Sequence, residues 1–195
     1  MKKILVINGH PRAGSYCDAL ALAYVRGARK TGARVRYVKV RDLKFDALNR
    51  EDMRKRELEH DLKKMQSAIR DSNHVVFVYP VWWGSMPALL KGFFDRIITP
   101  GFAFRYRKDG WGWHRLLKGR SARIIVTAGG PWILNHIAYH NSAINMTKWA
   151  TLWFSGFGPV KVTEFPSIDT KWMTQKKRKR NIEDVEKVGE QDAKE

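Results

Sequence analysis

Three short stretches bring together residues whose types and spacing could do chemistry. The first, GHPRAGSYCD, runs from Gly9 to Asp18 and sets His10, Arg12 and Ser15 just ahead of a helix-periodic segment. Free amides at a helix start, the positive end of its dipole, a hydroxyl and a cation suit a phosphate. The plainer reading of the same residues is that Ser15 caps the helix and His10 satisfies the loop. The stretch matches neither GxGxxG nor the GxxxxGK phosphate loop, so it carries neither of those nucleotide signatures.

The second stretch, YPVWWGSMP, places Trp82 and Trp83 between Pro80, Val81 and Gly84. A flat, electron-poor ring such as an isoalloxazine needs backbone donors and acceptors along one edge and an apolar wall beside it. Pro80 to Gly84 could supply both, because Gly84 permits close backbone approach. Of the two indoles, Trp83 is the better candidate for the wall, and both could instead be core residues. The third stretch, Thr127, Ala128, Gly129 and Gly130, ends an apolar run with two glycines. Amides there could reach a ring edge and stabilise charge on it, though a glycine pair also merely turns a chain.

These loops need a frame that presents them together. KKILVIN, RVRYVKV, HVVFVYP, ARIIVTAGG and VKVTEF read as strands, the central ones nearly continuous in Ile and Val. Between them fall helical patterns. One runs from Ser15 to about Thr31, with Ala19, Leu22, Ala23, Val25 and Ala28 near helical spacing. Another has Leu58, Leu62, Met65 and Ile69 on one face, and PALLKGFFDRIIT carries Pro87 in its first turn. NSAINMTKWATLWF and the tail from Asp169 read as helices too, and residues 42–58 as a charged, irregular excursion. Alternation of this kind predicts an α/β, flavodoxin-like three-layer sandwich with a five-stranded parallel sheet ordered 2-1-3-4-5. All three loops then fall at the carboxyl ends of strands, where such sheets bind ligands. One domain over 1–195, with a charged helical tail over 169–195, fits the length.

The chain has 195 residues, is 44% hydrophobic and carries a net charge of +18. No run approaches the roughly 18 apolar residues of a membrane span, and the N-terminal MKKILVINGH reads as a buried strand rather than a signal segment. Cys17 is the single cysteine, so no internal disulfide forms and the cytoplasm is the expected compartment. The charge suits anionic small molecules, anionic lipid or nucleic acid, or simply a solvated surface. No zinc-ligand cluster or RNA-recognition signature accompanies it, so nucleic acid is the least expected partner and no metal site is expected. KKRKR, Lys176 to Arg180, reads as a solvated helix face.

GHPRAGSYCDAL, YPVWWGSMPALLKGFFDRIITPGFAF and VTAGG resemble the NAD(P)H:quinone oxidoreductase family, the flavodoxin-like group that includes DT-diaphorase, modulator-of-drug-activity enzymes and potassium-efflux ancillary reductases. The likeness covers residues 3–165. It implies that His10, Ser15, Tyr16, Cys17 and Asp18 hold the phosphate of FAD or FMN. It implies too that Pro80, Val81, Trp82, Trp83 and Gly84 line the ring, with Thr127, Ala128, Gly129 and Gly130 on its other edge. It further implies a homodimer that passes hydride from NAD(P)H through flavin to a quinone in ping-pong order. DT-diaphorase has a Tyr and a His after its glycines. Tyr139 and His140, with His136 nearby, are the candidates here, although the spacing differs. Tyr106, Trp111 and Trp113 are read either as stacking on substrate or as packing on a dimer partner. The competing class is a regulatory or binding module whose basic surface docks on a membrane transporter, anionic membrane or nucleic acid. Contact with the inner membrane face would then be peripheral. A one-electron flavodoxin fits poorly, because such carriers are typically acidic.

Overall fold

The computed structural model describes residues 1–48 and 57–195. The middle of the charged segment expected at 42–58, residues 49–56, therefore lies outside the described residues. A five-stranded parallel sheet runs β2 (Arg34–Lys39), β1 (Lys3–Asn8), β3 (His74–Val81), β6 (Ser121–Ala128), β7 (Val160–Phe165). This is the expected 2-1-3-4-5 order. The fourth and fifth strands carry the labels β6 and β7 because a small antiparallel hairpin intervenes. Its strands, β4 (Phe104–Tyr106) and β5 (Trp113–Arg115), pair Phe104 with Arg115 and Tyr106 with Trp113. Strands of three residues carry too little alternation to be seen in sequence.

The sheet is buried on both faces. On one, α2 (His60–Asp71) and α3 (Ala88–Ile97) cover Leu5, Ile7, Val75 and Phe77, and Phe77 meets Phe94 at 5.0 Å. On the other, α1 (Tyr16–Lys30) covers Ile4, Val6, Val76 and Val78. The α1 stripe differs from the expected one. Leu22 is exposed, whereas Leu20, Ala21, Tyr24 and Gly27 are buried. The cause is a second cover. The C-terminal helix α5 (Gln175–Lys194) lies along α1 so closely that a Cβ on Gly27 would sit 1.8 Å from the Glu186 carbonyl oxygen. A Cβ on Gly189 would sit 2.4 Å from that of Tyr24. Two glycines thus let two backbones touch. The tail enters α5 at Gln175 rather than Asp169, with Thr174 as its cap. After β6 the chain makes a π-helical turn (Leu134–Ala138), a short α4 (Ser142–Asn145) and a π-helical run (Met146–Trp153).

The far end of α5 is held by a buried charge cluster. Asp192 is 1% exposed and takes Arg123 from β6 through Nε at 2.5 Å and a terminal nitrogen at 2.7 Å. The Tyr24 hydroxyl donates to it at 2.9 Å, and His74 Nε2 lies 3.4 Å away. Burial alone would raise the Asp192 carboxyl, but hydrogen bonds and charge from Arg123 and His74 hold it well below the usual carboxylate range. A depressed native pKa contributes stability in full above the unfolded value of about 4, and that contribution is lost as pH falls. Asp192→Asn should therefore cost about 3–5 kcal/mol at neutral pH. It should also flatten the acid limb of stability against pH, as chemical denaturation at pH 7 and below would read.

Candidate functional site

The three predicted loops do meet, at the carboxyl edge of β1, β3 and β6. The first is fixed from behind. Ser15 caps α1 by accepting from the Asp18 amide at 3.2 Å, and Asp18 returns a bond from the Ser15 amide at 3.1 Å. That capping box leaves the first amides of the helix, Tyr16 and Cys17, without intrahelical acceptors and aimed outward. Asp18 itself faces away from the opening. Its Oδ1 accepts from Asn8 at 2.6 Å and from Arg41 at 2.9 Å, and Arg41 also donates to the carbonyls of His10 and Arg12. Burial pushes this carboxyl up, but Arg41 and the Ser15 amide outweigh it, so it lies below its ordinary value. Asp18, expected among the phosphate ligands, is a clamp behind the loop. Arg41 was not foreseen, because its partner is distant in sequence.

His10 is buried, with Nδ1 accepting from the Arg12 amide at 3.0 Å. Its proton therefore resides on Nε2. Burial, then Arg12, lowers its pKa, so the ring is held neutral. Its edge meets Trp82 at 5.6 Å.

A cavity of about 370 Å³ opens over this loop, lined by His10, Arg12, Gly14, Ser15, Tyr16 and Cys17, and on the other side by Pro80, Trp82, Thr127, Asp169 and Arg178. A second, of about 440 Å³, continues from it between Pro80 to Gly84, Thr127 to Gly130, Asn135 and Tyr139. The two share Pro80, Trp82, Thr127, Ile168 and Asp169.

The tryptophan loop is a two-residue reversal in which the amides and carbonyls of Trp82 and Ser85 exchange bonds at 2.8 and 2.9 Å. Trp83 (φ 52°) and Gly84 (φ 69°) both lie in the left-handed region that such a turn demands. A tryptophan there stores about 1–3 kcal/mol of strain. The turn throws Trp83 outward, 97% exposed, while Trp82 faces both cavities. Trp82 thus lines both cavities, and Trp83 borders the second at its rim.

Of the relay candidates, Tyr139 lines the second cavity and His140 lines neither. His140 sits at φ 47° with an exposed ring, its carbonyl accepting from Asn145. His136 instead pairs with Glu164 at 3.0 Å and stacks on Trp132 at 4.2 Å. Tyr106, Trp111 and Trp113 line neither cavity. Trp113 stacks at 4.4 Å on Phe154 and donates to its carbonyl at 2.8 Å.

Sequence reasoning passed over Asp169 and Arg178. The Asp169 carboxyl fills the place a Cβ on Gly129 would take, 2.6 Å from Oδ2. Arg178, from the run read as a solvated face, turns inward over the Tyr16 ring at 4.9 Å and donates to the Ile168 carbonyl at 2.6 Å. The signal was periodic: Arg178, Ile182, Val185, Gly189 and Asp192 form one stripe of the helix.

The family model described as flavodoxin-like fold matches residues 2–188. The chain belongs to the flavodoxin-like fold family. Among flavodoxin-like relatives, the ribosyldihydronicotinamide dehydrogenase (quinone) of Homo sapiens is 39% identical over 80 residues, covering 41% of this chain and 34% of its own. The FMN-dependent NADH:quinone oxidoreductase of Ruegeria pomeroyi is 29% identical over 182 residues, covering 84% and 87%. The crystal structure of Smu.1420 from Streptococcus mutans UA159 superposes with a TM-score of 0.82 at 25% identity, over 97% of this chain and 99% of that one. The chain spans about a third to two thirds of the length of several curated relatives it matches.

Cys17 lines the first cavity, and its thiol is buried 3.4 Å from the Thr127 hydroxyl. Burial pushes that thiol up to about 12. It should therefore resist a thiol-titrating disulfide reagent at pH 8 in the native protein, and one thiol should appear on denaturation. Rapid native reaction would show the loop open.

Proposed function

We propose that this protein is a flavin-dependent NAD(P)H:quinone oxidoreductase. The observation that carries the reading is the continuity of the two cavities. One end offers amides at a helix start with Arg12 and Arg178, a donor set for phosphate. The other is a slot between two strand-end loops, suited to a flat ring. The relative named as an FMN-dependent NADH:quinone oxidoreductase supports FMN over FAD. No helix of the described residues is long and apolar enough to cross a membrane.

A bound flavin would supply two-electron hydride chemistry. The net reaction takes NAD(P)H, a proton and a quinone to NAD(P)⁺ and a hydroquinone. The chain's own part is to bind and orient. Tyr16, Cys17, Ser15 and Arg178 would hold the phosphate, and neutral His10 would offer Nε2–H beside it. Trp82 would pack along the ring, and the amides after Thr127 would face its polar edge. Tyr139, at the open side, would meet whichever substrate enters. We assign Trp83, 97% exposed, and Trp111, 84% exposed, to the surface a second copy would cover. On this reading Trp111 of the hairpin serves a homodimer, while Trp113 packs on its own chain's Phe154.

Denaturation of the purified, yellow protein should release close to one flavin per chain, identified by chromatography. Failure to bind FMN or FAD on reconstitution would sink the reading. Initial rates at several quinone concentrations should give parallel double-reciprocal lines, since one open slot holds nicotinamide or quinone but not both. Intersecting lines would require a second site. In sizing by light scattering, the wild type should have twice the chain mass and Trp111→Asp should shift toward the monomer.

A further inference from the structure

The buried cluster at the far end of α5 has no part in the chemistry described so far. We infer that Asp192 is a positioning residue for Arg178, acting through the length of α5, so that the phosphate end of the cofactor cavity is set from the opposite end of the sheet. The inference rests on the flavin reading above.

The first half of α5 contributes no buried residue, and its three buried positions are Val185, Gly189 and Asp192. Arg178 is oriented locally by the Ile168 carbonyl and the Tyr16 ring, but the helix that carries it is buried only beyond it. The one stripe that joins Arg178 to Asp192 spans 14 residues, about 21 Å of helix. Lys176 to Arg180 also stand at the helix N-terminus, the end at which the dipole disfavours cations. The dipole thus offsets part of what the Thr174 cap and the Ile168 carbonyl contribute to holding Arg178. What fixes the helix under those local contacts is downstream. Gly27 and Gly189 set the distance between α1 and α5. Asp192 sets the rotation and the slide, because Arg123 grips both carboxylate oxygens while Tyr24 donates to one of them. Arg123 is itself held by Thr163 at 2.9 Å, so the anchor is part of the sheet. The same β6 that carries Arg123 near its start carries Thr127 at the cavity. Sheet and helix thereby fix the two walls of the cavity from one root.

The test uses the full chain stripped of flavin and titrated with FMN and, separately, with riboflavin, which lacks the phosphate. Asp192→Asn should raise the Kd for FMN at least tenfold and leave that for riboflavin within twofold. Tyr24→Phe, a milder change that keeps the Arg123 pair, should raise the FMN value severalfold, and it carries the test if Asp192→Asn does not fold. In an Arg178→Ala background, Asp192→Asn should add nothing further for FMN. An unchanged FMN value, or equal losses for both flavins, would overturn the inference and leave the cluster as a structural anchor only. Wild-type protein that binds neither flavin would refute the flavin reading itself, and the positioning role with it.

Discussion

The contact on which the site depends is the ion pair between Asp18 and Arg41. It joins four pieces of chain: the end of β1 through Asn8, the first turn of α1, the loop between them, and the turn after β2. Both side chains are largely withdrawn from water, so the pair is worth having only because its remaining hydrogen bonds are satisfied. Tyr37 and Asn8 complete the carboxylate, and Arg41 spends its other nitrogen on two loop carbonyls. A loop that must leave its amides free for a ligand cannot hold itself together with them. The clamp behind it does so instead.

The sheet turns that local order into a shared opening. β1 and β3 are adjacent and parallel, and the chain leaves them toward helices on opposite faces, which parts the loops at their carboxyl ends. β3 and β6 run in register from His74 with Ser121 to Val81 with Ala128. The tryptophan turn and the two-glycine turn therefore leave the sheet at one level. Strain is accepted where the opening needs it. Trp83, His140 and Asn141 all hold positive φ, and all three lie in the two segments that border the slot.

The sheet order was legible because its central strands β1, β3 and β6 are buried on both faces, and buried strands write themselves as apolar runs. The three loops were legible because glycine, proline and capping residues mark strand ends. What sequence did not show was direction. Asp18 lies within a ligand-like stretch yet points backward, since the capping box fixes its side chain. Trp83 and Trp82 are adjacent, but left-handed backbone sends one outward. Arg178 was hidden among four other cations, and only the phase of its helix separates it from them. The β4–β5 hairpin, with three residues a strand, offers no period to read. The buried face of α1 was misread for a related reason: a helix covered from two sides has a wider apolar stripe than one cover explains.

One outer edge of the sheet is β2, and along it Arg34 and Arg36 stand exposed in alternation. A second sheet adding there would bring like rows of guanidinium within about 5 Å of each other. Pairing through this edge is opposed by repulsion rather than by covering the strand. The protection is then only as good as the charges are bare. A polyanion that titrates them, such as polyphosphate or a stretch of RNA, would remove the barrier while bridging one molecule to the next. Clouding of concentrated protein in such mixtures, reversed by salt, is the colloidal behaviour this edge entails.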